Sequence, residues 1–418
     1  MDARSVLPRS ILTHDTHMRG SSTMTAVPLA RAGHRRSEVG PVELFFDLVY
    51  VFAIIQLSHL LIEHLSWEGA AQTIVVFAAV WWGWNYTAWA MNWLDPGRTP
   101  VQLLSGVLML AALGMSIAIP SAFGDGAWLF VGCYLFMGVL RPGFMMIAYR
   151  GYQLAANYRM LLLWTLMAGI FWVLGATLPF EWRLGVWLLA VLIDYAAPLA
   201  HYRIPGIGAA PMHQWDTDAE HLAERNRLVF IVALGESILL MGGTIVSHGQ
   251  LTPSLALSML VGFASLFVLW WNYFALAGPE THGGDSSTGA LRSAYAYAHA
   301  FMVLGAILVA VSIELRLSHD RLTPAIVLVT TAGPLVYLTG NLLFLRSRFG
   351  RLARSRFIAA AVLVMITIAA MLLIDHLPVI ALSVAVLAVT AVLAAHTAYT
   401  ASYSSALRQR ARPELGHA

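Results

Sequence analysis

Apolar runs of nearly membrane-spanning length recur along the chain, each closed by Gly, Pro or charged residues. Six of them fall at about 42–62, 70–92, 101–120, 127–149, 158–178 and 182–202. A polar stretch from Arg203 to Arg225 interrupts the pattern, and six more follow at about 226–247, 254–278, 291–315, 323–345, 355–375 and 377–400. Roughly 20 apolar residues make a helix long enough to cross the hydrocarbon of a bilayer. A helix satisfies its own backbone hydrogen bonds, as that solvent requires. The pattern therefore predicts an all-α integral membrane protein with about twelve transmembrane helices. It divides the chain into a tail over 1–40, a first six-helix half over 41–202, a linker over 203–225, a second half over 226–400 and a basic tail over 401–418.

Composition strengthens this picture. Of 418 residues, 59% are hydrophobic and only 11% charged, about half the charged share of a soluble domain. The basic residues are all arginine and the formal net charge is +3, which gives nucleic-acid binding no support. Cys133 is the one cysteine, so neither an intrachain disulfide nor a cysteine metal site can form. Phosphate-binding loops, nucleophile elbows and paired zinc histidines are all missing, so no cofactor or metal is expected and an enzyme is the less favoured class. The leader, with Arg4, Arg9, Arg19, Arg31, Arg35 and Arg36 among Ser, Thr, Gly and Pro, lacks the apolar core of a signal peptide. It reads as a disordered cytoplasmic tail, and either Met1 or Met24 could begin the chain.

Arginine placement orients the helices, because cytoplasmic loops retain basic residues. Arg98, Arg150, Arg159, Arg203, Arg225 and Arg292 fall on one side. So do Arg346, Arg348, Arg351, Arg354 and Arg356, and Arg408, Arg410 and Arg412 of the tail. Only Arg183, Arg316 and Arg321 fall on the other, which puts both termini inside. The two halves also echo each other. Asp47 in the first helix and Glu236 in the seventh are 189 positions apart, and the same offset carries Trp81-Trp82 onto Trp270-Trp271. Pro142 and Pro334 need an offset of 192, so a duplication of six helices about an axis along the membrane normal stays open beside coincidence of apolar composition.

Ionisable side chains at membrane depth are costly and usually face a protein interior or a wet cavity. Glu43 and Asp47 are four apart on one stripe of the first helix, suited either to proton handling or to capping and pairing with an arginine. Glu236, about ten residues into its helix and so ~15 Å deep, is the costliest acid, as a proton or substrate site or as a protonated packing residue. Asp194 precedes Pro198 by four, so the proline leaves the Asp194 carbonyl without its helical donor and bends the helix there, either as part of a functional site or as an ordinary kink. Arg141, beside Pro142, is expected to pair with Asp47, Asp194 or Glu236 or to bind an anion. His299 is either a hydrogen-bonded core residue or part of a proton relay, whereas His59, Glu63 and Glu314 read as interfacial. Trp81, Trp82 and Asn85, with Trp270 and Trp271, could form an aromatic wall around a ligand or simply pack.

The run Val42-Glu43-Leu44-Phe45-Phe46-Asp47-Leu48-Val49-Tyr50-Val51-Phe52-Ala53-Ile54 resembles the N-terminal hallmark of the bacterial low temperature requirement protein A (LtrA) family. The Trp-rich second helix, Glu224-Arg225 followed by Leu234-Gly235-Glu236-Ser237-Ile238, and His299 before Gly305 extend the likeness over about 38–400. The resemblance implies a multi-pass protein of a bacterial plasma membrane and a cold-growth phenotype, without naming a reaction. The favoured expectation is a proton-coupled secondary transporter or permease, with the bilayer and a small molecule or ion as partners. Substrate and oligomeric state stay open. An intramembrane lipid-modifying enzyme using Glu43, Asp47 and His299, or a non-catalytic sensor or assembly factor, are the alternatives.

Overall fold

The computed structural model of the protein describes residues 29–31, 39–247, 250–276, 287–319 and 321–411. Among them twelve long helices follow one another with no strand: α1 (Pro41–Glu63), α2 (Trp67–Trp93), α3 (Thr99–Ala118), α4 (Ala127–Ala148), α5 (Gln153–Thr177) and α6 (Phe180–Leu199), then α7 (Ala219–Ser247), α8 (Pro253–Leu276), α9 (Thr288–Ser318), α10 (Pro324–Phe349), α11 (Arg354–Leu372) and α12 (Val379–Ala411). Starts and stops follow local chemistry. Ser66 caps α2 by accepting from the Gly69 N–H (3.0 Å), Thr323 does the same for α10 at Ile326 (3.3 Å), and Gly350, with φ 64°, ends α10 in the left-handed conformation that glycine tolerates best.

Eleven of the twelve are long and apolar enough to cross a membrane, and α2 is the exception. Its tryptophans and asparagines lower its hydropathy, yet nearly every residue from Val75 to Asn92 is buried. It is sheathed by α1, α4, α6 and α7, so protein, not lipid, is the solvent its side chains meet. That exempts it from the hydropathy a lipid-facing helix needs.

Three expected boundaries move. The seventh helix begins at Ala219, so the end of the anticipated linker is helical, and the last helix continues through the start of the anticipated tail to Ala411. The leader, expected to be unstructured, is seated where it is described: Leu29 accepts from the Asp95 N–H (2.9 Å) and Arg31 donates its N–H to Trp93 (3.0 Å). Arg31 Nε reaches the free carbonyls ending α2, Met91 (3.0 Å) and Leu94 (2.9 Å), a helix C-terminus that favours a cation. Most of the leader, and residues 412–418, lie outside the described residues.

In the first half α3 packs on α1 and α4, α5 on α4 and α6, and α6 on α2. The second half has the same neighbours in the same order: α9 on α7 and α10, α11 on α10 and α12, and α12 on α8. The α9–α10 pair is the tightest. A Cβ at Gly305 would lie 2.6 Å from the Tyr337 amide nitrogen, and one at Gly340 would lie 2.6 Å from the Ala298 carbonyl, so small residues let the two backbones meet as in other membrane helix pairs. The halves join where α1 packs against α7 and α9, and α2 against α7.

Candidate functional site

Where α1 meets α7, two i,i+4 pairs face each other. Glu43 and Asp47 share a stripe of α1, His221 and Arg225 a stripe of α7, and the bonded pairs Glu43–His221 and Asp47–Arg225 both span 178 positions. One spacing for both means that the helices run side by side in the same direction. Glu43, 1% exposed, accepts from Arg31 Nη2 (2.5 Å), the Gly40 N–H (2.8 Å), His221 Nε2 (2.9 Å) and Arg225 Nη1 (3.1 Å). Asn92 Nδ2 donates to His221 Nδ1 (3.1 Å), which leaves the ring proton on Nε2, aimed at Glu43. Asp47 Oδ1 accepts from Arg225 Nη2 (2.5 Å) and Trp84 Nε1 (2.8 Å), and the Arg225 guanidinium lies 5.8 Å from the Trp84 ring centre. Two carboxylates and two guanidiniums balance in charge at this crossing. Buried ion pairs persist when further hydrogen bonds satisfy their remaining atoms, and Glu43 meets that condition fully. Asp47 keeps Oδ2 without a partner.

A second buried cation lies nearby with different company. Arg141 Nη1 donates to the Gly83 carbonyl (3.1 Å) and to Thr87 Oγ1 (2.9 Å), and its guanidinium lies 5.2 Å from the Tyr86 ring centre. The expected salt bridge from Arg141 to Asp47, Asp194 or Glu236 does not form. Asp47 is taken by Arg225, Asp194 accepts from Tyr134 (2.7 Å) and Trp172 (3.1 Å) on Oδ2, and Glu236 stands on another helix of the other half. Arg141 reads α2 instead, and Tyr50, whose hydroxyl has no partner, sits 3.3 Å from a Cβ built on Gly83.

His299 is fully engaged. Its Nδ1 donates to Ala294 (2.8 Å) and its Nε2 accepts from the Tyr273 hydroxyl (3.0 Å). The Ala294 carbonyl is five residues back because α9 is π-helical over Arg292–Ala298, a wider winding that concentrates at functional positions. The anticipated aromatic wall splits. Trp81, Trp82 and Asn85 are at most 3% exposed inside α2, but Trp270 and Trp271 are 40% and 43% exposed on the outside of α8 and join no common surface with them. Trp81 Nε1 instead donates to Ala296 (2.7 Å), tying α2 to the π-helical turn.

Glu236 is the exception among the acids. It is 0% exposed, and neither carboxyl oxygen has a hydrogen-bond partner among the described residues. Its electrostatic neighbour is Glu314 of α9, which is influenced in turn by His59 of α1. Glu314 and His59, which the sequence reads as interfacial, are thus coupled to Glu236 pairwise, Glu314 directly and His59 through Glu314. An apolar cleft of about 440 Å³ opens between Leu61, Trp67 and Ile74 on one side and Leu304, Leu328 and Val336 on the other, and none of the candidate acids or histidines lines it. No group of three or more metal-ligating side chains occurs among the described residues.

Arg225, His221, Arg31 and Trp84 were not picked out by sequence reasoning. Arg225 looked like a loop arginine because the helix start was placed after it. The signal that could have found it is the i,i+4 repeat of basic groups at 221 and 225 matching the acids at 43 and 47.

This arrangement defines a multi-pass helical membrane protein whose halves are clasped by a buried ionic knot and whose second half holds an acid with no partner among the described residues. The model of the bacterial low temperature requirement A protein (LtrA) family matches residues 38–394, and the chain belongs to that family. It is also 34% identical over 308 residues, 72% of this chain and 75% of the relative, to an uncharacterized protein of Rhizobium meliloti (strain 1021).

Proposed function

We propose that the protein is a secondary transporter or permease of a bacterial plasma membrane, with both termini cytoplasmic, and that Glu236 takes up and releases the coupled proton. The observation that carries this reading is the isolation of Glu236, which sits in the apolar run of α7 with neither a donor nor a cation from the described residues on its oxygens. A buried carboxyl in that position must bind a proton, a cation or water, and acids of this kind mark proton and substrate routes in membrane proteins. Glu314 and His59 supply ionisable stations beside it. Glu43 fits a structural role better, because four donors already hold it. Asp47, with one free oxygen, can exchange a proton only as its pairing with Arg225 changes. Arg141, Asp194 and His299 line the route in this reading. The recurring neighbour order of the halves agrees with a duplicated fold of the kind parallel transporter repeats adopt.

The test is charge displacement in proteoliposomes on a solid-supported membrane after a pH jump. Wild type is expected to give a transient that Glu236→Gln removes and Glu43→Gln, if it folds, retains. A transient of the same size in Glu236→Gln ends the proposal.

A further inference from the structure

The second half contains a buried positive charge for which the described residues provide no negative one. Arg316, near the end of α9, is 7% exposed. Its Nη2 donates to the Ser258 carbonyl of α8 (2.8 Å), Nε has no partner, and no carboxylate lies within ion-pair distance. Glu314 cannot serve, because residues two apart on a helix point to opposite sides; Glu314 faces Glu236 and α7, whereas Arg316 faces α8, α10 and α12. Gly262 makes the space, since a Cβ there would stand 2.9 Å from Nη2. An arginine at a membrane interface ordinarily snorkels outward, but this one turns into the bundle, where an uncompensated charge costs several kcal/mol.

The guanidinium borders a cavity of about 30 Å³ that is also lined by Ser265, Ser312, Thr330, Ser383 and Thr390. Hydroxyls from four helices therefore converge on it. Ser265, Ser312, Ser383 and Thr390 currently donate to carbonyls of their own helices at 2.7 to 3.4 Å, and a hydroxyl can rotate its one proton toward a different acceptor. The room is that of one or two water-sized occupants, which suits a monatomic anion and is too small for a phosphate ester. We infer that this cavity is a binding site for a small monovalent anion of halide size, held by the Arg316 guanidinium and the surrounding Ser and Thr hydroxyls. The site is independent of proton uptake at Glu236, and the two readings fail separately: Glu236→Gln should keep the anion response whatever it does to charge movement.

The experiment uses the full chain in phosphatidylcholine nanodiscs, with thermal unfolding followed as sodium chloride or bromide replaces sodium gluconate at constant ionic strength. A ligand that binds only the folded state raises the melting temperature in a saturable way. Wild type should show that rise and Arg316→Met should lose it, while melting no lower than wild type in gluconate because the variant carries no unbalanced charge. Should Arg316→Met fail to fold, the double variant Ser312→Ala/Thr390→Val is expected to need about ten-fold more halide for the same rise, as two hydrogen bonds of ordinary strength are removed. Absence of a halide-dependent rise in wild type, or an equal rise in Arg316→Met or the double variant, overturns the inference. So does an Arg316-dependent stabilisation that phosphatidylglycerol discs supply in gluconate and halide does not, which would assign the charge to a lipid phosphate.

Discussion

Asp47 of α1 and Glu236 of α7 lie 189 positions apart, and both are essentially inaccessible. Their surroundings are opposite. Asp47 receives a guanidinium at 2.5 Å and an indole N–H at 2.8 Å, and Glu236 receives no donor from the described residues. The helices beside them differ in the same sense. α2 is enclosed by protein and buries Trp81, Trp82, Trp84 and Trp89, whereas Trp270 and Trp271 of α8 are turned outward. The first acid is thus held at the junction of the halves, whereas the second has no hydrogen-bond partner among the described residues. Asp47 stands level with Arg225, so Glu236 lies eleven residues, roughly 16 Å, further along, and the two acids differ in depth as well as in partners.

The comparison breaks most severely at Arg225, which contacts both carboxylates of α1. Arg225→Met leaves Glu43 and Asp47 short of a counter-charge, and removing one member of a buried ion pair costs about 3–5 kcal/mol. The variant is expected to lose most of its monodisperse, folded protein by size-exclusion chromatography in mild detergent; a normal profile would show that the knot does not hold the halves. Asp47→Asn is gentler, because Arg225 keeps Glu43 and the amide oxygen can still accept. A loss of about 2 kcal/mol is expected, in the range for a hydrogen bond to a charged group, read as a lowered denaturation midpoint.

Much of this contrast was legible in the chain beforehand. Apolar run length gave the twelve helices, since the bilayer imposes one length on each, and the cost of burying charge singled out Asp47 and Glu236. Pairing was not legible. Whether Arg141 or Arg225 meets Asp47 depends on which helices are neighbours, and both arginines lie far from Asp47 in sequence. Helix starts misled as well. Ala219 begins α7 among polar residues that a hydropathy reading assigns to a loop, which hid Arg225 and His221 inside a supposed linker. Glu314, close to a helix end and only partly buried, lies within electrostatic reach of Glu236, a proximity that sequence position alone does not show.

Trp84→Phe sharpens the comparison with a smaller change. It keeps the ring beneath Arg225 and deletes only the N–H that Asp47 accepts. The expected cost is about 1.5 kcal/mol, visible as a modest fall in melting temperature, and an unchanged melting temperature would leave Arg225 as the sole anchor of Asp47.

Glu236→Gln should change stability least of all, by less than about 1 kcal/mol, although it alters the most deeply buried acid of the second half. Truncating or neutralising a buried group is expensive when it strands a partner, and among the described residues Glu236 has none to strand. Glutamine is nearly isosteric and uncharged, so it preserves packing against α9 and relieves the proximity of Glu314. Wild type and variant should therefore melt together while differing in charge displacement after a pH jump. A destabilisation near that of Asp47→Asn would mean that Glu236 is held as Asp47 is, and the two halves would then differ in detail instead of in role.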